Sequence, residues 1–133
     1  MKAVFADTSF YLALLNDNDQ YNAIARNVSA LVTGRMMTTA WVLTEVADAL
    51  SKPGHREIAA QFLSILRSDN RVLIEPADDD LFEQGLQLYT VRKDKHWSLT
   101  DCISFIVMDR YNLKDALSAD HHFEQAGFVI LMK

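Results

Sequence analysis

The chain is poor in the residues that build disulfide-stapled or disordered proteins. Its 133 residues include one cysteine, two prolines and four glycines, and 50% of them are hydrophobic. A single cysteine excludes an internal disulfide framework and fits a reducing cytoplasm. Because prolines and glycines are scarce and apolar residues abundant, we expect an ordered chain with a real core. The composition predicts one domain over residues 1–133.

Long apolar runs and an excess of positive charge are also absent. No stretch approaches the length of a membrane span, so we expect no membrane contact. The segment from Met1 to Ala6 is too short for the apolar core of a signal peptide, and Asp7 interrupts it. Thirteen basic residues against 18 acidic ones give a formal net charge of -5. General nucleic-acid binders are usually basic, so this charge counts against that class.

Short apolar segments alternate with longer amphipathic ones along the whole chain. Strands are predicted at 3–6, 36–38, 71–76, 116–119 and 129–132. Helices are predicted at 10–15, 21–32, 41–50, 58–66, 81–91, 98–108 and 122–126. Strands that alternate with helices in this way predict an α/β fold, in which helices cover both faces of a central parallel sheet.

The most apolar helix begins with a capping signature. Ser98, followed three residues later by Asp101, is typical of a capping box at a helix N-terminus. The residues after Asp101 leave almost no polar face, which predicts a helix buried in the middle of the fold. Asp101 then lies where the helix dipole favours a negative charge. On this stretch alone, capping is a sufficient explanation for Asp101.

Two further acids follow predicted strands. Asp7 comes directly after the first strand, and Asp120 follows the strand at 116–119. In an open parallel sheet, ligands bind beyond the carboxyl ends of the strands, at the point where the strand order reverses. Carboxylates brought together there repel one another unless a cation or a shared proton is present, and ligand oxygens suit Mg²⁺ or Mn²⁺. The alternative is that each acid only caps the helix that follows it.

Glu45 is a fourth candidate, on the predicted helix at 41–50. It points away from the apolar stripe of that helix, which usually means solvent. Its neighbours on the helical wheel are Trp41, Val42 and Ala49. A carboxylate among apolar side chains indicates the wall of a cleft.

Taken in order, these segments resemble a PIN-domain nuclease. The motifs are Asp7-Thr8-Ser9 after a strand, Thr44-Glu45 in an apolar helix, Ser98-Leu99-Thr100-Asp101 opening another, and Leu-Ser-Ala-Asp-His-His-Phe at 117–123. Their order and spacing match along essentially the whole chain, and the chain is most similar to the VapC-type toxins of VapBC toxin–antitoxin pairs. The resemblance implies a parallel sheet between helices and endonuclease activity on single-stranded or structured RNA. It also implies a small cognate antitoxin protein as partner, and a homodimer.

The resemblance also assigns residues. The family's acidic positions, around one or two Mg²⁺ or Mn²⁺ ions, correspond here to the four acids Asp7, Glu45, Asp101 and Asp120. We expect Asp7 and Asp101 to be the principal ligands, and the other two to bind a second ion or act through water. Thr8 or Ser9 occupies the position of the family's supporting hydroxyl.

Several residues beside these motifs keep more than one interpretation. Ser118 stands where the family often has threonine and keeps the hydroxyl, while Cys102 stands where a small alanine is frequent. His121 and His122 are expected at a helix start near the acids, with a general-acid role as the alternative. The one basic cluster is either a solvated loop or a contact for RNA phosphates, and consists of Arg92, Lys93 and Lys95.

Other classes fit the sequence less well. A receiver-like or phosphatase-like domain would want a second acid beside Asp7, and Asp7-Thr8-Ser9 offers none. The four glycines form no phosphate-binding loop of the dinucleotide type. An RNA-processing nuclease of the same family without an antitoxin stays open. So does a non-catalytic RNA-binding or scaffold domain of PIN type, although the presence of all four acids argues against it.

Overall fold

The structure, a computed structural model, describes residues 3–133. The predictions that concern Met1 and Lys2 lie outside the described residues. Five strands and seven helices alternate: β1 (Val4–Ala6), α1 (Thr8–Leu15), α2 (Asn22–Leu31), β2 (Met36–Thr39), α3 (Ala40–Ala49), α4 (Arg56–Ser68), β3 (Val72–Glu75), α5 (Asp79–Val91), α6 (Leu99–Arg110), β4 (Asp115–Leu117), α7 (His121–Gln125) and β5 (Val129–Ile130).

All pairings in the five-stranded sheet are parallel, and the strand order is β3-β2-β1-β4-β5. The central strand β1 pairs with β2 through Val4↔Met36 and with β4 through Phe5↔Ala116. The chain builds outward from β1 to β3 and then returns to the other side of β1 with β4. The strand order therefore reverses between β1 and β4, where Asp7 and Asp120 were predicted to meet.

Helices flank the sheet in two groups, which confirms the predicted fold class. One group joins α1 to α2 and α3, and α3 to α4, while the other joins α6 to α5 and α7. Phe5 of β1 faces the second group, because its ring lies 6.2 Å from that of Phe123. Phe123 in turn makes an edge contact with Phe105 of α6 at 4.9 Å. The central strand is thus anchored to α6 through a chain of aromatic rings.

The capped helix α6 lies in the core, as its composition predicts. Seven of its residues are buried: Asp101, Cys102, Ile103, Ser104, Phe105, Val107 and Met108. Its capping box is complete, with Ser98 Oγ accepting from the Asp101 N–H at 3.0 Å and Asp101 Oδ2 accepting from the Ser98 N–H at 3.1 Å. The cap fixes the first turn of the helix and, with it, the direction of the Asp101 side chain.

The boundaries of the elements differ from the predicted ones by a few residues. Helix α1 begins at Thr8 instead of residue 10, because the carbonyl of Asp7 already accepts the first helical hydrogen bonds. Strand β4 ends at Leu117 instead of residue 119. The edge strand β3 is less completely covered by helices than the central strand, and its Leu73 is 41% exposed. None of the described helices is both long and apolar enough to cross a membrane.

The contact between α5 and α6 generates a stability prediction at Gly85. A Cβ at residue 85 would overlap Cγ1 of Ile103 and lie 3.3 Å from its Cα. We expect Gly85→Ala to lower the free energy of unfolding by about 1–2 kcal/mol, since overpacking outweighs the gain in helix propensity. Urea denaturation measures this change, with Gln87→Ala on the exposed face of α5 as the control. In an Ile103→Ala background, Gly85→Ala should cost less, because that substitution removes the overlapping atom. An equal loss of unfolding free energy in both backgrounds would contradict the steric cause.

Candidate active site

Asp7 is held at the carboxyl end of β1 by hydroxyl groups from two directions. Its N–H continues the sheet by donating to Leu117 O at 3.1 Å. Its side chain makes no capping hydrogen bond to α1, although it occupies the N-cap position. Instead, Oδ2 accepts from Ser9 Oγ at 2.9 Å and from Ser118 Oγ at 2.8 Å. The structure thus contradicts the capping alternative for Asp7.

Burial raises the pKa of the Asp7 carboxyl from 3.8 to about 6, against the opposing effect of its hydroxyl donors. The negative charge of Asp101 raises this pKa further, because two carboxylates repel each other when both are ionised. Asp7 is 5% exposed. Within residues 3–133 the Asp7 carboxylate has neutral donors, an acidic neighbour and no ion pair, and a cation would offset this deficit.

Glu45 is tied to the same edge of the sheet by Thr8. Thr8 Oγ1, at the start of α1, donates to Glu45 Oε1 at 2.6 Å. Helix α3 is itself capped by Thr39, whose Oγ1 accepts from the Val42 N–H at 3.1 Å. Glu45 is half-buried, in agreement with the predicted cleft wall. Both hydroxyls of the Thr8-Ser9 pair therefore position a candidate acid, Glu45 for the first and Asp7 for the second.

His122 lies between Asp101 and Asp120. Its Nδ1 is 3.2 Å from Asp101 Oδ2 and 3.3 Å from Asp120 Oδ1. Since ionised carboxylates can only accept, Nδ1 must carry the hydrogen for either contact to be a hydrogen bond. Asp120 also caps α7, because its Oδ1 accepts from the His122 N–H at 2.9 Å. The capping alternative therefore describes Asp120 and Asp101 correctly, and both still face the same imidazole.

The pKa of the Asp101 carboxyl is also shifted by its burial and by its charged neighbours. Burial raises the pKa of its carboxyl, and the charge of Asp120 raises it further. The Ser98 N–H and the His122 ring oppose this rise. Asp7, Asp101 and Asp120 thus form a chain of neighbouring carboxylates, each of which disfavours the charge of the next.

Three of the four acids use only one carboxylate oxygen for their hydrogen bonds and ion pairs within the described chain. Within residues 3–133, the side-chain hydrogen bonds and ion pairs of Asp101 fall on Oδ2 alone. Those of Asp120 fall on Oδ1, and that of Glu45 falls on Oε1. One oxygen of each carboxylate is used to orient it, and the second oxygen stays available to a ligand.

The sequence anticipated the acids better than the groups that hold them. The structure brings Asp7, Asp101 and Asp120 together and links Glu45 to them through Thr8. It also places the ligand atoms of Asp120, His121 and His122 within 4.8 Å of one another. The bridging position of His122 was missed, and its only signal was the place two residues after Asp120, in the first turn of a short helix.

The raised pKa of Asp7 predicts a pH dependence of stability without metal. A carboxyl whose pKa is raised on folding binds its proton more tightly in the folded state, so its contribution is lost as the pH rises from about 4 to about 6. Relative to Asp7→Asn, the wild type should therefore lose up to about 3 kcal/mol of unfolding free energy between pH 4 and pH 7. Urea denaturation in chelator measures the difference, and parallel curves for the two proteins would contradict it.

Both the sequence and the fold of this chain match known proteins. The PIN domain family model matches residues 4–129. The chain is 33% identical over 127 residues to the 23S rRNA-specific endonuclease VapC20 of Mycobacterium tuberculosis, an alignment that covers 95% of each chain.

Solved structures show the same fold. The crystal structure of Mycobacterium tuberculosis VapC20, described as a sarcin–ricin loop cleaving toxin, superposes with a TM-score of 0.88 at 30% identity, over 95% of this chain and 96% of that one. VapBC2 from Rickettsia felis matches with a TM-score of 0.71 at 16% identity, over 96% of each chain. At that identity the second similarity concerns the fold alone. The family match over nearly the whole chain and the 33% identity together show that this chain belongs to the PIN-domain family.

Proposed function

We propose that this chain is a Mg²⁺- or Mn²⁺-dependent endoribonuclease that acts as the toxin of a type II toxin–antitoxin system. The relative that matches over 95% of both chains is named as an endonuclease specific for 23S rRNA, and this supports the reaction class. The observation that carries the proposal is the arrangement of the four acids. Three of them are each oriented through one oxygen, so that the second can bind an ion or a water molecule.

The donor set fits a hard divalent cation. Carboxylate oxygens are the ligands that Mg²⁺ and Mn²⁺ prefer, and thiolates are absent from this cluster. The raised pKa of Asp7 and of Asp101 marks a site whose negative charge is incompletely balanced. We propose Asp7 and Asp101 as the principal ligands, with Glu45 and Asp120 at a second ion or acting through water.

Different residues of the chain would then have different roles in phosphodiester hydrolysis. A bound divalent ion would lower the pKa of a water molecule and stabilise the negative charge that develops on the phosphate. Ser9 and Ser118 hold the Asp7 carboxylate at a fixed place, and Thr8 does the same for Glu45. The second carboxylate oxygen of Glu45 or Asp120 can accept a hydrogen from the attacking water and orient it. His122 keeps the carboxylates of Asp101 and Asp120 at a fixed separation.

The relative supports a substrate class. VapC20 of Mycobacterium tuberculosis is named as an endonuclease specific for 23S rRNA, and its structure is described as that of a toxin that cleaves the sarcin–ricin loop. We extend the class, ribosomal RNA, to this chain because sequence and fold both match over 95% of its length. A positively charged side chain of a small antitoxin, inserted among the four acids, would offset the same repulsion as a metal ion. The homodimer, the single domain over residues 1–133 and the cytoplasmic location stay predictions.

Metal binding should stabilise the folded protein. Mg²⁺ or Mn²⁺ at a hundredfold excess over Kd should add about 2.7 kcal/mol to the free energy of unfolding, because the ion binds only the assembled carboxylates. Thermal melting with each ion or with chelator measures the gain. Asp7→Asn should abolish it, and Asp78→Asn, at the cap of α5, should retain it. A wild-type melting temperature that neither ion changes would rule out the site as described.

The two roles of Asp101 can be separated by one substitution. Asp101→Asn keeps an oxygen that can accept from the Ser98 N–H, but it removes the charge. We expect Mn²⁺-dependent cleavage of ribosomal RNA to fall at least about a hundredfold. In chelator the variant should melt no lower than the wild type, since burial disfavours the Asp101 charge. Growth arrest on expression without a partner protein should disappear in parallel.

Asp78→Asn is the matched control, because Asp78 caps α5 by accepting from the Leu81 N–H at 2.8 Å and lies outside the four acids. It should cleave at the wild-type rate. Full cleavage by Asp101→Asn would reduce Asp101 to a helix cap and contradict the proposed function.

A further inference from the structure

A wide groove lies along the loop between α5 and α6. Its volume is about 860 Å³. We call it the basic groove, and its lining consists of Tyr89, Thr90, Arg92, Lys93, Lys95, His96, Trp97, Ser98 and Leu99. Its lining includes Ser98, whose N–H donates to Asp101 Oδ2 at 3.1 Å. The basic groove therefore reaches the N-terminus of α6, where one of the four acids lies.

The charge of the basic groove contrasts with that of the molecule. Within residues 92–96, Arg92, Lys93 and Lys95 give +3 and Asp94 gives -1, a net charge of +2. Since the whole chain carries -5, the remaining residues sum to -7. A local positive charge on an acidic protein attracts an anion to that place and not to the surface at large.

The cations of the basic groove are not equivalent. Arg92 is engaged by the protein, because its Nε and Nη2 each lie 3.1 Å from a carboxylate oxygen of Asp94. Its guanidinium also lies 5.0 Å from the ring of Trp97. Trp97 is buried, and its Nε1 donates to Gln125 Oε1 at 3.0 Å. Arg92 and Trp97 thus build the floor of the basic groove and fix the shape of the loop.

Lys93 and His96 are exposed and, within residues 3–133, have no side-chain hydrogen bond or ion pair. Lys95 has only a long contact, with Nζ 3.9 Å from Asp94 Oδ2. These side chains can turn to a phosphate without breaking a strong interaction in the protein. These side chains line the basic groove together with Arg92 and Trp97.

Tyr89 adds an aromatic surface to the same wall. It lies in the last turns of α5, it is 49% exposed, and its side chain forms no hydrogen bond within the described chain. An exposed ring beside cations is the combination with which proteins bind single-stranded nucleic acid, since bases stack on the ring while the backbone meets the cations.

We propose that the basic groove is a binding site for an unpaired stretch of the RNA substrate, with Lys93 and His96 on phosphates and Tyr89 stacked on a base. The identity of this ligand as the substrate rests on the proposed function. The site lies outside the four acids and would position the strand whose neighbouring phosphodiester reaches them.

Fluorescence anisotropy with a labelled single-stranded RNA oligomer tests the proposal in chelator, where no cleavage occurs. Lys93→Ala should weaken binding at low salt and reduce the slope of log K against log salt by about 0.7, the value for one lost phosphate contact. Tyr89→Ala should weaken binding about tenfold, whereas Tyr89→Phe, which keeps the ring, should bind like the wild type.

Two controls match these variants. Lys52→Ala removes an exposed lysine outside the basic groove, and Phe82→Ala removes an exposed aromatic ring two turns earlier on α5. Neither should change the affinity or the salt slope. Equal effects of Lys52→Ala and Lys93→Ala would overturn the proposal, because they would show attraction by net charge alone.

Polyglutamate as a competitor distinguishes RNA from an acidic protein ligand. Polyglutamate carries no bases, so Tyr89→Ala should weaken the binding of RNA and not that of polyglutamate. If Tyr89→Ala weakened the binding of both ligands equally, the assignment to RNA would be overturned. Cleavage is measured separately with Mn²⁺. If the wild type cleaves RNA but Lys93→Ala and Tyr89→Ala bind RNA as well as the wild type does, the basic groove is rejected as an RNA site and the proposed function is retained. RNA binding with the expected variant effects but no cleavage would reject the proposed function and retain the groove as an RNA site.

Discussion

The repulsion between buried carboxylates is the constraint on which the functional edge of this protein depends. Asp7 lies at the end of the central strand, almost without access to solvent, and its pKa rises to about 6. It is stable there because Ser9 and Ser118 donate hydrogen bonds to one oxygen. The hydroxyls compensate for lost hydration without supplying a positive charge. A positive charge from a metal ion or from a partner's side chain would offset the repulsion that remains.

Helix capping and the candidate chemistry involve the same two side chains through different oxygens. The capping box holds Asp101 through Oδ2, and the cap of α7 holds Asp120 through Oδ1. Each cap fixes the rotation of a carboxylate and leaves its other oxygen available. A capping aspartate can therefore also be a candidate ligand, although the two interpretations look exclusive in the sequence. Asp7 differs from the other two, since its side chain makes no capping hydrogen bond.

The order of the elements could be predicted from local patterns, and the four acids could be chosen as candidates from strand ends, a helix cap and the family resemblance. Apolar runs and capping residues mark β1, α6 and the strands of the sheet because these signals depend on neighbours in sequence. The ends of β4 and α1 were misplaced, since they depend on hydrogen bonds to distant segments, such as that from Asp7 N to Leu117 O. The different contacts of Arg92 and Lys93 in the basic groove could not be predicted either, because Arg92 differs from Lys93 through its contact with the ring of Trp97.

The sequence by itself determined the α/β class and the capped central helix, because periodicity and capping depend on a few neighbouring residues, and it singled out four acids as candidates. Tertiary structure alone decided which partners those acids have. Ser118 reaches Asp7 across 111 positions, Thr8 reaches Glu45 across 37, and His122 reaches Asp101 across 21. Such contacts follow from the strand order around β1, which places segments remote in the chain at one edge of the sheet. No local pattern encodes that order, because parallel strands are paired through long crossovers whose lengths do not specify a neighbour.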